Sequence, residues 1–182
     1  MKRIVCLLLI CLLITGCKSS SGTTQTALAL REQLLRAQSC SFDARITADD
    51  ADQTYTFAMG CQVDAHGNLS FSVTEPESIR DITGNISVDG GKLTYDDTVL
   101  GFSLLAQGRI SPVSGPWIMI RALRSGYIVS CGDDTIMLRD SYETDAFSVE
   151  VRLDEQDWPY WADIYWNERR ILAIQVTNFS IS

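Results

Sequence analysis

Apolar and polar residues alternate along most of this chain, and two stretches break the alternation with a helical period. From Cys40 to Val63 nearly every second residue is apolar on either side of a turn at 49–52. Successive side chains of a strand point to opposite faces, so this pattern predicts a β-hairpin. The pattern returns at 69–73, 86–95, 127–138, 147–153 and 162–181. The sequence therefore predicts a long antiparallel meander.

The two remaining stretches predict helices. From Ala27 to Gln38 the apolar residues recur at helical spacing, namely Leu30, Leu34 and Ala37 together with Leu28 and Leu35. The second helix begins at Ser114-Gly115-Pro116, ends before Gly126, and is apolar apart from Arg121 and Arg124. Such a helix is normally buried. We therefore expect an α+β domain of the half-barrel kind, an antiparallel sheet with helices over one face.

The first hairpin also predicts a register. With Asp50 and Ala51 as the loop, the numbers of opposite residues sum to 101, which places Cys40 across from Cys61. On a non-hydrogen-bonded rung the Cα atoms approach to about 4.5 Å, within reach of a disulfide. Two interpretations stay open, a disulfide between these cysteines or two small buried thiols. Cys131 is then left over.

The N-terminus follows a third pattern. Lys2 and Arg3 precede an apolar run from Ile4 to Ile14, and Gly16 and Cys17 follow. This resembles a bacterial lipoprotein signal with its lipobox, because the run is too short to span a hydrocarbon layer of about 30 Å. An ordinary secretory signal or a short membrane helix are the alternatives. We expect acyl chains on Cys17 to hold the protein at the outer face of the cytoplasmic membrane.

These patterns divide the chain into three parts. Residues 1–16 form the signal peptide, residues 17–26 a lipidated flexible tether of small polar residues, and residues 27–182 one domain. Without residues 1–16 the chain has 13 basic and 23 acidic residues, a net charge of −10. That charge argues against a nucleic-acid partner and against lying flat on anionic lipid.

The sequence offers little for catalysis. The one histidine, His66, lies in a predicted turn beside no Ser or Cys, and no second histidine could serve as a base. The spacing of Cys40, Cys61 and Cys131 fits no zinc site, and no cofactor motif is present. Carboxylate pairs such as Asp133 and Asp134 lie in turns. We therefore expect a protein without enzymatic activity, cofactor or metal.

A group of aromatic residues is the clearest candidate for a binding surface. Trp158, Tyr160, Trp161, Tyr165 and Trp166 lie within nine positions. Along a strand, Trp161 and Tyr165 share the face opposite to Tyr160 and Trp166. We predict a partner surface at Trp158, Tyr160, Trp161 and Tyr165, because exposed Trp and Tyr anchor many interfaces. Cross-strand packing is the alternative.

Several segments together resemble the lipoprotein-sorting-factor-like superfamily, which includes the LolA and LolB proteins. They are Phe71 to Ile79, Gly90 to Tyr95, the helix from Pro116 to Gly126, and Ile174 to Phe179. More narrowly, the chain is similar to lipid-anchored members in Gram-positive spore formers, among them a spore-germination lipoprotein that partners a cell-wall amidase. The resemblance implies a curved sheet with helices packed on its concave face, which holds acyl chains in the carrier members. The carriers are soluble, whereas an anchor at Cys17 favours a fixed acceptor or a scaffold.

Two functions stay open. The first is a membrane-anchored scaffold that binds an envelope or spore-cortex protein, and the second is a binder of lipid or another hydrophobic ligand on the concave face. An interior filled by the core-facing residues would support the scaffold, and a cavity of several hundred Å³ would support the binder; these residues are Phe42, Phe57, Met59, Phe71 and Trp117. A cell-wall hydrolase is a third hypothesis. Unpaired sheet edges also allow a homodimer.

Overall fold

One large antiparallel sheet organises the protein. The computed structural model describes residues 20–50, 53–103, 105–106, 109–140 and 147–182. In this part of the chain an open sheet of 11 strands is accompanied by two α-helices. The predicted combination of an antiparallel sheet with two helices is confirmed.

The strands of the sheet form two antiparallel meanders, one before and one after the second helix. In chain order the elements are α1 (Ser20–Arg36), β1 (Ser39–Asp50), β2 (Gln53–Asp64), β3 (Leu69–Glu75), β4 (Thr83–Ser87), β5 (Gly90–Tyr95), β6 (Thr98–Phe102), β7 (Leu105–Ala106), β8 (Arg109–Ile110), α2 (Gly115–Ser125), β9 (Tyr127–Cys131), β10 (Thr135–Arg139), β11 (Ser148–Leu153), β12 (Pro159–Trp166) and β13 (Arg169–Ile181). The strand order in the sheet is β6-β5-β4-β3-β2-β1-β13-β12-β11-β10-β9, and β7 and β8 pair separately. Because β1 pairs with β13, the first and last strands meet in the middle of the sheet.

Helix α1 begins earlier than predicted. It starts at Ser20 instead of Ala27, so the part of the predicted flexible tether from Ser20 to Thr26 is helical. Ser and Thr have a weak helix propensity, and a tertiary contact compensates for it here. Thr23 is buried, and its hydroxyl donates to the carbonyl of Asp133 at 3.2 Å. Cys17 and the predicted signal peptide lie outside the described residues.

The apolar stripe of α1 is narrower than predicted. Ala27, Leu30 and Leu34 are buried, whereas Leu28 and Leu35 are 50% and 54% exposed. The helix therefore packs along a single line of residues spaced three and four apart.

Helix α2 matches its prediction closely. It runs from Gly115 to Ser125, and all of its residues are buried except Arg121, Arg124 and Ser125. Arg31 of α1 closes its C-terminal end, because Nε donates to the carbonyl of Leu123 at 2.8 Å and Nη2 to that of Gly126 at 2.6 Å. These bonds satisfy carbonyls that have no partner within the helix, and they join the two helices. Neither helix is long and apolar enough to cross a membrane, among the residues described.

The first hairpin has a different register from the predicted one. Asp50 pairs with Gln53, so opposite residues sum to 103, and Cys40 faces Val63 while Cys61 faces Phe42. A change of two in this sum keeps each residue on its face. Both cysteines thus remain in the core, but as diagonal neighbours about 7–8 Å apart at Cα, beyond the usual span of a disulfide. Both are free thiols in the structure.

Strand β6 has no counterpart in the sequence prediction. Asp96 and Asp97 form the turn before it with positive φ values of 46° and 59°, a left-handed conformation that Asp tolerates better than most residues. Each of its residues from Thr98 to Phe102 pairs with β5. The sheet therefore extends one strand further than the alternation indicated.

Candidate functional site

The face of the sheet covered by the helices is filled with side chains. The five residues predicted to decide between core and ligand site are all buried, with exposures of 1% to 8%: Phe42, Phe57, Met59, Phe71 and Trp117. They belong to one continuous hydrophobic core, and Trp117 also donates its indole N–H to the carbonyl of Gly67 at 3.0 Å. Within the described residues these side chains therefore act as packing.

A small apolar cavity remains between α2 and β11. Its volume is about 80 Å³, and its lining includes Trp117, Ile118, Ala122, Phe147 and Val149. Ligand sites for molecules of drug size typically enclose about 300–1,000 Å³. As bounded by the residues that the structure describes, the cavity is too small for an acyl chain.

The opposite face of the sheet, which the helices do not cover, carries a compact cluster on β12. Ala162 and Ile164 point into the core, so Trp161, Asp163 and Tyr165 point to this outer face. Asp163 is nevertheless only 2% exposed. A carboxylate can be this deeply buried on an outer face only because neighbouring side chains lie over it.

Hydrogen bonds and ion pairs hold Asp163 from several sides. The indole N–H of Trp161 donates to Oδ2 at 2.9 Å. Arg152 Nη2 lies 3.4 Å from Oδ2, and Arg170 Nη1 lies 3.6 Å from Oδ1. In the described part of the chain Oδ1 accepts no hydrogen bond. The carboxylate therefore depends on two arginines and one tryptophan for its stabilisation.

Both arginines also contact a second carboxylate. Arg152 Nη2 lies 3.1 Å from Glu150 Oε1, and Arg170 Nη2 lies 3.4 Å from Asp49 Oδ2. The hydrogen bond to Glu150 raises the pKa of Arg152 above its usual value, while burial raises the pKa of Tyr165. Arg152 is thus charged and Tyr165 neutral at physiological pH. We call the outer-face residues Glu150, Arg152, Trp161, Asp163, Tyr165 and Arg170 the aromatic–ion surface.

The predicted aromatic residues separate into different environments. Trp161 and Tyr165 are half-buried within the aromatic–ion surface, and Tyr160 is 39% exposed. Trp158 is half-buried on the core side, where its ring lies 5.5 Å from that of Phe179. Trp166 also faces the core, 4.6 Å from the ring of Phe147.

The charged members of this surface were missed by the sequence analysis. The alternation itself held the signal, because Asp163 lies between Trp161 and Tyr165 on the same side of β12. Glu150 and Arg152 follow the same rule on β11, where they lie opposite Asp163 and Trp161.

A broad groove of about 680 Å³ lies elsewhere in the sheet, open to solvent. Its lining combines small and polar residues with three apolar ones: Ser41, Asp43, Gly60, Gln62, Ser70, Ser72 and Asn178, together with Phe42, Cys61 and Phe71. The Asn178 amide donates to Asp43 Oδ2 at 2.7 Å. Phe42, Cys61 and Phe71 are themselves buried, so the groove is an open surface of mixed character and not an enclosed apolar cavity.

The remaining candidates for chemistry are separate from one another. His66 is exposed in the turn between β2 and β3, where its backbone N–H donates to Asp64 Oδ1 at 2.9 Å. Burial raises the pKa of the Cys40 thiol to about 11, and it also raises the pKa of Cys61. Within the described residues no three His, Cys, Asp or Glu side chains converge on a point that could hold a metal ion.

Comparison with known proteins gives a distant likeness in fold. No family model matches the sequence, and no curated protein matches it. The chain is similar to the solved structure of a LolA superfamily protein from Nitrosomonas europaea, with 12% identity, coverage of 86% of this chain and 93% of that one, and a TM-score of 0.45. It is also similar to a putative outer membrane lipoprotein-sorting protein domain from Vibrio parahaemolyticus. The two are 9% identical, the match covers 90% of this chain and 92% of that one, and the TM-score is 0.41. A third similar structure is the MucA/MucB complex of Pseudomonas aeruginosa. Here the identity is 12%, the match covers 88% of this chain and 57% of that one, and the TM-score is 0.43.

Proposed function

We propose that this protein is a non-catalytic lipoprotein, anchored through Cys17 at the outer face of the cytoplasmic membrane, that acts as a partner-binding scaffold. The processes it serves are those of the envelope or spore cortex, such as germination, and its partner is a cell-wall amidase or another envelope protein. In this proposal residues 1–16 are removed, and helices occupy the concave side of a half-barrel formed by residues 27–182.

The aromatic–ion surface is the observation that carries the proposal. In protein interfaces a few positions contribute most of the binding energy, and Trp, Tyr and Arg are enriched at those positions. Trp161, Arg152 and Arg170 are held around one buried carboxylate, so their side chains lose little conformational freedom when a partner binds. An ordered patch of this composition suits a protein partner.

Photo-crosslinking from Tyr160, the exposed residue that precedes Trp161 on β12, tests the scaffold. A photoreactive amino acid replaces Tyr160 in the full-length protein, and a matched variant carries it at Tyr55, which is 50% exposed near the start of β2. We expect a discrete crosslinked protein in the host envelope from position 160 and none from position 55. Equal crosslinking from both positions, or none from position 160, would contradict the proposal.

Cell fractionation tests the anchor separately. Cys17→Ala should move the protein from the membrane fraction to the soluble extracytoplasmic fraction, because the acyl chains provide the attachment. A Cys17→Ala variant that fractionates with the membrane like the wild type would rule out this anchor.

The alternative, a binder or acceptor of lipid, has one observation in its favour. The cavity between α2 and β11 is lined mainly by apolar side chains, although its volume is only about 80 Å³. Native mass spectrometry of the protein extracted from its host distinguishes the two functions. A lipid mass on the protein beyond its own acyl chains would favour the binder, and a stoichiometric second protein would favour the scaffold.

A further inference from the structure

We propose that the free edge of β6 binds an extended segment of a partner protein as a twelfth strand, and that this segment carries aliphatic residues flanked by Lys or Arg. The inference deepens the scaffold function and rests on it. It concerns a different surface from the aromatic–ion surface, at the opposite end of the sheet.

The β6 edge has the geometry of a strand acceptor. Its ladder with β5 is continuous from Thr98 to Phe102, without a bulge, and β6 is the last strand of the sheet on this side. In the described residues the backbone of β6 has no hydrogen-bond partner outside β5. Every second residue of such a strand directs its N–H and C=O groups outward, where an added strand can pair with them.

The side chains of β6 do not protect this edge. Its sequence Thr-Val-Leu-Gly-Phe has no charged residue and no proline, which are the usual means of blocking further pairing. Val99 and Leu100 are 60% and 61% exposed. Leu100 lies opposite Leu93, which packs against the core, so an added strand would bury Leu100 as a continuation of that core.

The other edge of the sheet, β9, is better protected. Its ladder with β10 contains a register shift between Met137 and Leu138, and α1 packs against it. Bulges and covering helices are both known ways of preventing edge-to-edge pairing. The contrast singles out β6 as the edge able to accept a strand.

Charge indicates the chemistry of the added strand. Asp96 and Asp97 precede β6, Asp89 lies in the turn between β4 and β5, and Lys92 is the only basic residue between positions 81 and 103. An apolar edge with carboxylates near both ends is complementary to an aliphatic segment with basic flanks. A second copy of this chain fits less well, because each mature copy has a net charge of −10.

The face of the sheet at Gly101 is also open. A Cβ placed on Gly101 would meet no atom within 4 Å. Side chains on that face of an incoming strand therefore meet no obstruction at this position from the residues that the structure describes.

A peptide-binding experiment on the full-length protein, extracted in mild detergent, tests the inference. The probe is a fluorescent nine-residue peptide in which alternating valine and threonine lie between two lysines at each end. The control peptide has glutamate in place of lysine. Binding is followed by fluorescence anisotropy, and the site is located by hydrogen–deuterium exchange.

Two protein variants complete the design. Leu100→Lys places a charge on the β6 edge, and Val129→Lys makes the matched change on β9, where Val129 is 53% exposed. We expect Leu100→Lys to weaken binding of the lysine peptide by roughly tenfold or more and Val129→Lys to leave it unchanged. Bound peptide should slow amide exchange in Thr98–Phe102.

Several outcomes would overturn the inference. They are no binding of the lysine peptide, equal binding of the glutamate peptide, equal loss in both variants, or protection confined to other strands. A wild-type dimer that Leu100→Lys converts to monomer would show that a second copy occupies the edge, against this proposal. Crosslinking at position 160 uses a different surface, so peptide binding without crosslinking contradicts only the scaffold, and the reverse contradicts only the β6 inference.

Discussion

The indole N–H of Trp161 donates a 2.9 Å hydrogen bond to the carboxylate of Asp163, two residues along the same strand. Arg152 and Arg170 complete the surroundings of this 2% exposed side chain. The aspartate therefore fixes the positions of three side chains that we assign to partner binding.

Loss of this carboxylate should weaken the fold. We expect Asp163→Ala to lower the free energy of unfolding by about 1–3 kcal/mol, because the indole N–H and the two guanidinium groups lose a buried acceptor. Asp163→Asn keeps an oxygen for Trp161 and should cost less. Urea unfolding checks both, with Asp97→Asn as a turn control expected within about 0.5 kcal/mol of the wild type. A fully stable Asp163→Ala variant would contradict this account.

The link between the two helices gives a second prediction. Arg31 donates to the carbonyls of Leu123 and Gly126, whereas Arg36 on the same helix makes an exposed ion pair with Glu32. Arg31→Ala should lower the free energy of unfolding by about 1.5–3 kcal/mol, the range for hydrogen bonds to charged groups. Arg36→Ala, the matched control, should cost about 0–1 kcal/mol. Equal effects of the two changes would show that Arg31 does not join the helices.

Two glycines in the β5–β6 pair should respond differently to the same substitution. A Cβ on Gly91 would collide with the ring of Phe102, while a Cβ on Gly101 would meet nothing within 4 Å. We expect Gly91→Ala to cost about 1–3 kcal/mol through overpacking. Gly101→Ala should be neutral or slightly stabilising, because alanine reduces the entropy of the unfolded chain. Thermal unfolding of both variants provides the measurement, and similar melting temperatures would contradict the packing at Gly91.

The buried thiols predict a loss of stability in alkali. Burial raises the pKa of Cys40 to about 11 from an ordinary value of 9.0, although the charge of Arg124 opposes the shift. The folded state therefore holds this proton more tightly than the unfolded chain. The resulting stability is fully present below about pH 9 and is lost as the pH rises towards 11, at up to about 1.4 kcal/mol per pH unit.

Unfolding free energies at several pH values between 8 and 11 test this prediction. The free energy of unfolding of Cys40→Ala should decline less steeply with pH than that of the wild type. Val63→Ala, opposite Cys40 and also buried, should lower stability at every pH with the wild-type slope. Parallel slopes for the wild type and Cys40→Ala would show that Cys40 does not contribute to the alkaline decline.

Local signals in the sequence were sufficient for some elements and not for others. Pro116 and Gly126 predicted both ends of α2, because each acts through its own backbone. The register of the first hairpin depends on which residues of 49–52 form the loop, and apolar alternation cannot decide between registers that differ by two in the sum of opposite numbers. The burial of Asp163 required knowledge of its neighbours on β11 and β13, which no single-strand pattern contains.

Under the proposed anchoring at Cys17, the early start of α1 would limit how the domain can move. The helix begins at Ser20 and Thr23 is bonded to the turn before β10, so the chain from Cys17 to the start of the helix can extend over at most about 10 Å. An anchor at Cys17 would then be joined to the domain by a short linker instead of a long flexible one. A scaffold attached in this way cannot search the space above the bilayer, and its partners must reach it close to the lipid surface.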